Sequence, residues 1–138
     1  MEQPSKPEDA AKPLILVVDD LADNRDLYAA YFEYVGYQVE TAADGHEALA
    51  KAFELHPDAV LMDLSLPGVD GWEVTRRIRQ NPSTSEILVI GLSGHSHYAA
   101  DAKVSGCDAF LAKPCLPEKV AEEIRRALAK TKTSFKLP

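Results

Sequence analysis

Cysteine is scarce in this sequence: Cys107 and Cys115 are the only two in 138 residues, and they form no C-x-x-C pair. A disulfide framework is excluded on that count, and both thiols are expected to stay reduced. Basic residues are in deficit as well, with 15 Lys and Arg against 22 Asp and Glu and a formal net charge of −7. A nucleic-acid surface shows as a basic patch, so no nucleic-acid partner is expected. No apolar stretch approaches the ~20 residues of a membrane span, so no membrane partner is expected either. The opening MEQPSKPEDAAKP carries Pro4, Pro7 and Pro13 and lacks the apolar centre of a signal peptide. There is no internal repeat and no second zone of composition. What remains is one acidic domain, expected in the cytoplasm. It is long enough to bury roughly two-thirds of its unfolded surface without a disulfide or structural metal.

What the sequence does contain is a recurring pattern, an apolar run that ends on a polar residue. LILVVDD (14–20), AVLMDL (59–64) and ILVIGLS (87–93) show it in full, and AFLAKP (109–114) in shorter form. Such runs suit strands covered on both faces, as in a parallel sheet. YQVETA (37–42) alternates instead, as an edge strand with one wet face does.

Helical periods lie between the runs. Leu27, Ala30, Tyr31, Tyr34 and Val35 mark one face of a first helix, stopped by Gly36. Ala48, Leu49, Ala52 and Phe53 mark a second after the turn at Asp44-Gly45. Val74 and Ile78 mark a third, from near Asp70 to Asn81-Pro82. An Ala-rich stretch from His95 to Val104 reads as a weak fourth. Val120, Ile124, Ala127 and Leu128 mark the last, opened by Pro117. Five strands alternating with five helices predict a doubly wound α/β fold. Residues 1–13 read as a disordered tail, 14–130 as the domain and 131–138 as a short loose tail.

In an open parallel sheet, ligands bind outside the carboxyl ends of the strands, where the strand order reverses. That rule gathers scattered residues into one place. Asp19 and Asp20 end the first strand, Asp63 the third, Ser93 the fourth, and Lys113 the fifth. Three carboxylates together raise one another's pKa unless a cation joins them. A hard divalent ion with oxygen ligands and retained waters, Mg²⁺, suits such a set. Lys113 adds a positive point charge and Ser93 a hydroxyl, which together suit a phosphoryl oxygen. Each residue alone has an ordinary explanation: a helix cap for Asp19-Asp20, a loop cap for Asp63, a turn hydroxyl for Ser93, a solvated charge for Lys113. Their placement at successive strand ends favours a phosphoryl-and-metal site.

VVDD, VLMDLSLPGVDG, VIGLSG and FLAKP, in that order and spacing, resemble the receiver domain of two-component response regulators. The resemblance runs from about Leu14 to Lys130. It implies a flavodoxin-like, five-stranded parallel sheet of order 2-1-3-4-5, and a phosphate acceptor at Asp63. By the same resemblance Asp20, Asp63 and the Ser65 carbonyl bind Mg²⁺ directly, with Asp19 acting mainly through a bound water. Ser93 and Phe110 take the positions of the family's switch residues and Lys113 that of its lysine. The Lys113–Pro114 bond is expected to be cis.

The activity so implied is a phosphorylation-dependent switch. Asp63 takes a phosphoryl group from a sensor histidine kinase or a histidine phosphotransfer protein, Ser93 moves toward it, and Phe110 turns into the vacated space. A downstream target protein then reads the face formed by the 95–104 helix, the fifth strand and the last helix. The chain is expected to be a monomer or weak dimer, and no enzyme beyond self-catalysed transfer and hydrolysis. It is read as stand-alone or as part of a hybrid kinase. Ser93-Gly94 departs from a commoner Thr-Ala, and Gly91 is expected to weaken packing in the fourth strand. Ser65 and His95 hold positions that tune hydrolysis in the family, while His46 and His56 are read as solvated. Two other classes compete: a phosphorylation-independent pseudo-receiver, and a small aspartate-nucleophile phosphatase. The latter wants a second Asp two residues after the nucleophile, where this chain has Ser65.

Overall fold

The computed structural model describes residues 12–66, 69–94 and 106–136, with side chains as far as Lys130. Five strands, β1 (Leu14–Val18), β2 (Gln38–Ala42), β3 (Ala59–Asp63), β4 (Leu88–Ser93) and β5 (Ala109–Ala112), pair in parallel in the order β2-β1-β3-β4-β5. Four helices stand among the described residues: α1 (Ala22–Tyr34), α2 (Gly45–Leu55), α3 (Gly71–Gln80) and α4 (Pro117–Lys136). The further helix expected over His95–Val104 lies outside the described residues. No helix among them is long and apolar enough to cross a membrane.

The strand patterns follow from layer position. β3 is central and every residue in it is buried, so its apolar run has no alternation. β2 is an edge, and Gln38 and Glu40 face solvent between less exposed neighbours. On one side of the sheet Leu16, Val18, Val60 and Met62 pack with Ala48, Leu49 and Ala52 of α2 and Val74 and Ile78 of α3. On the other, Ile15, Val17, Leu61, Ile90 and Leu92 pack with Tyr28 and Phe32 of α1 and Val120 and Ile124 of α4. Since β1 lies between β2 and β3, the chain winds outward in both directions from β1 and β3. Their carboxyl ends form the switch point.

Two helix starts are capped by carboxylates. Asp44 accepts from the Glu47 amide at 2.9 Å, and Glu47 reaches back to the Ala43 amide at 2.8 Å. Asp70 accepts from the Glu73 amide at 3.0 Å. At the other end of α3, Arg79 donates to the carbonyls of Gly106 (2.9 Å), Ser85 (3.0 Å) and Ile87 (2.5 Å) and to Asp108 Oδ2 (2.6 Å). One guanidinium thereby ties α3 to the entrances of β4 and β5.

The structure corrects three sequence expectations. The stripe on α1 is not its buried face: Leu27 is 56 % exposed and Tyr34 84 %, while Tyr28 and Phe32 are in the core. Where α1 begins, Asp19 Oδ1 accepts from the Leu21 amide and Arg25 donates to the Asp19 carbonyl. Phe53 likewise stands partly exposed beside the buried Ala48, Leu49 and Ala52. Just before β1 the Pro13 carbonyl accepts from the Gln38 amide at 2.9 Å, and α4 runs through Thr131 to Lys136; residues 1–11 are outside the described set. Finally, Gly91 tightens packing rather than weakening it. A β-carbon there would meet Leu64 Cδ1 at 3.0 Å and Cys107 Sγ at 3.1 Å.

Candidate functional site

The apolar run of β3 carries Asp63 to the sheet's carboxyl edge, where it is 2 % exposed. β1 delivers Asp19, equally buried, and the exposed Asp20 beside it. Ligand oxygens of all three lie within 4.8 Å of one another. Lys113, on the turn after β5, places its ammonium 3.2 Å from Asp63 Oδ2. The other Asp63 oxygen accepts from the Ser65 amide at 2.9 Å. Ser93 is buried at the end of β4, and its carbonyl accepts from the Lys113 amide at 2.8 Å, so the turn hangs on β4. The Lys113–Pro114 peptide is cis.

Burial pushes the Asp19 carboxyl above its ordinary value, opposed by the hydrogen bond from the Leu21 amide. The Asp63 charge pushes the same way as burial, while Lys113 and the Asn24 amide, 3.3 Å away, oppose it. One ammonium faces three carboxylates, so the cluster carries surplus negative charge in a partly desolvated place. A small divalent cation with oxygen ligands matches that surplus in charge and donor type.

The structure thus brings Asp19, Asp20, Asp63, Ser65, Ser93 and Lys113 to one edge. Phe110 is elsewhere: it sits opposite Gly91 in the β4–β5 register, half-buried against the core layer that holds Met62 and Leu64. His46 and His56 are exposed, and His95 and His97 lie outside the described residues.

Several contributors were not apparent from sequence. Asn24 and Arg25 hold Asp19 from the first turns of α1. Gly71 lets α3 lie directly on the end of β3, since a β-carbon there would overlap the Asp63 carbonyl oxygen and stand 2.7 Å from Leu64 Cα. Gly45 does the same for α2 against the Val69 carbonyl. The one available signal was a glycine directly after each capping aspartate, Asp44-Gly45 and Asp70-Gly71.

A family model described as "Response regulator receiver domain" matches residues 15–125. This chain belongs to the response regulator receiver domain family. Among curated relatives of the receiver is the transcriptional regulatory protein ResD of Bacillus subtilis, 36% identical over 122 residues. That match covers 88% of this chain and 50% of ResD, so the chain spans about half the length of this relative. Among solved structures, the chemotaxis response regulator CheY4 of Vibrio cholerae superposes with a TM-score of 0.80 at 30% identity, covering 84% of this chain and 98% of that one. The receiver domain of sensor histidine kinase PA1611 from Pseudomonas aeruginosa superposes with a TM-score of 0.79 at 30% identity, covering 86% and 99%. That structure holds a magnesium ion in its active-site cleft.

Proposed function

We propose that this receiver is a phosphorylation-dependent switch in two-component signalling, with Asp63 as the phosphoacceptor. The observation that carries the reading is a carboxylate buried to 2 % at a strand end, held between the Lys113 ammonium and two further carboxylates. Such a charge is costly to bury without use. The donor is the phosphohistidine of a sensor histidine kinase or a histidine phosphotransfer protein. An Asp63 oxygen attacks phosphorus as the N–P bond breaks; the imidazole leaves and takes up a proton, and an acyl phosphate remains on Asp63.

Lys113 is placed to pair with a phosphoryl oxygen, and the Ser93 hydroxyl is the candidate partner for a second. Mg²⁺, held by Asp19 (through water), Asp20, Asp63 and the Ser65 carbonyl, would supply charge neutralisation at the transferring group. The product adds up to two negative charges beside Ser93. Movement of Ser93 toward them and turning of Phe110 would reshape the face made by β5 and α4 for a target protein. Hydrolysis of the acyl phosphate by the receiver itself resets the switch. The chain is in this reading a switch rather than a turnover enzyme.

The test is intact-protein mass after incubation with acetyl phosphate, with and without Mg²⁺, beside Asp63→Asn. A Mg²⁺-dependent gain of one phosphoryl group, absent in the variant, is the expected result. If neither acetyl phosphate nor the phosphoryl mimic beryllofluoride engages the wild type, the chain is a constitutive interaction module and the switch reading fails.

A further inference from the structure

The turn that presents Lys113 touches the core through Cys115, while its other apolar residues stand in solvent. Pro114 is exposed and Leu116 is 70 % exposed. An open cleft of about 600 Å³, lined in part by Leu27, Tyr28, Pro114 and Leu116, runs between the turn and the first half of α1. On its β4 side the turn is anchored by the Lys113 amide donating to the Ser93 carbonyl. Across the cleft the anchor is Tyr28, whose hydroxyl donates to the Cys115 carbonyl at 2.8 Å. Tyr28 is itself 7 % exposed, with its ring 5.9 Å from that of Phe32, so the hydroxyl projects from a rigid part of the core.

From this geometry we infer that Tyr28 is a positioning residue for the phosphoacceptor site. Its bond to the Cys115 carbonyl holds the turn so that Lys113 stays on Asp63. The inference rests on the acceptor reading of Asp63 given above. Burial first, then the Cys115 thiol as it ionises at high pH and the Asp19 and Asp63 carboxylates, lift the Tyr28 hydroxyl to about 12. It therefore keeps its proton, and can donate, at neutral pH. The alternative is that Tyr28 merely fills space under α1, which its ring alone would do.

Tyr28→Phe separates the two, because it removes the hydroxyl and keeps the ring. Two quantities are read on the full chain: the rate of Mg²⁺-dependent acyl-phosphate formation from acetyl phosphate, and amide hydrogen exchange at Lys113. The expected result is a rate lowered roughly three- to tenfold, the scale of one net hydrogen bond. Exchange at Lys113 should rise while the β1 and β3 amides keep their protection. An unchanged rate, unchanged exchange at Lys113, or a rise shared by the core strands overturns the inference while leaving the acceptor reading in place. A wild type that takes up no phosphoryl group removes the acceptor reading and this inference with it.

Discussion

Gly71, the first residue of α3, lies against the backbone of Asp63, with no room between them for a β-carbon. The helix that follows the 64–70 loop thus folds back onto the end of β3. Gly71→Ala must push backbone against backbone, since the Asp63 carbonyl and Leu64 Cα are the atoms in the way. The expected cost is about 1–3 kcal/mol, the usual range for overpacking. Urea denaturation measures it, and an Ala variant as stable as the wild type would show that the contact can relax freely.

Arg79 offers a second prediction. Its bonds to three carbonyls and to Asp108 join α3 to the segments entering β4 and β5, and Asp108 Oδ2 also accepts from the Val89 amide at 2.9 Å. The guanidinium is 22% exposed, so solvent screens part of the charge, and the expected cost of Arg79→Ala is about 1–3 kcal/mol. Arg79→Lys should recover little of it, because an ammonium lacks the planar fork that reaches several acceptors at once. Denaturant midpoints for the two variants should lie close together and below the wild type.

Alkaline pH should weaken the fold through Cys107. Burial pushes its thiol up to about 11, against a Thr75 hydrogen bond and the Arg79 charge, from an ordinary value of 9.0. Below pH 9 both folded and unfolded chains hold the proton and the group contributes nothing. As pH rises from about 9 to about 11 the unfolded chain loses the proton while the folded chain keeps it, so stability falls. Replacing the thiol in Cys107→Ala removes this component of the pH dependence, and a slope identical to the wild type between those pH values would count against it. Tyr28, raised to about 12, acts in the same direction above pH 10 and remains in the variant.

The face of α1 can be tested by substitution. Leu27→Gln and Tyr34→Ser, on the exposed stripe, are expected within about 0.5 kcal/mol of the wild type. Phe32→Ala, which empties a fully buried position, is expected to cost about 3–5 kcal/mol. Thermal or urea unfolding of the three variants orders them, and the reverse order would place the core on the other side of the helix.

That helix also marks the limit of reading by period. Leu27, Ala30, Tyr31, Tyr34 and Val35 are spaced as well as any buried face, and so are Tyr28 and Phe32, one residue around the cylinder. Periodicity identifies a helix; it does not choose between two apolar stripes on one helix. The choice comes from packing: Tyr28 and Phe32 meet Ile15, Val17, Val120 and Ile124, while Leu27 and Tyr34 meet solvent. At the strand ends the case is different. Asp19, Asp20, Asp63, Ser93 and Lys113 converge because each ends an apolar run, and parallel strands share one carboxyl edge.

What the sequence alone determined is therefore what depends on local chemistry. Runs of β-branched and aliphatic residues make strands buried on both faces, capping aspartates start α2 and α3, and polar residues at run ends fall on one side of the sheet. What only the tertiary structure decided is what depends on contacts between distant segments. The face α1 buries, the close approaches at Gly71 and Gly45, the Arg79 clamp, and the Tyr28 bond beneath the Lys113 turn all join residues far apart in the chain. Their partners are set by how the layers pack, and no spacing within one segment records that.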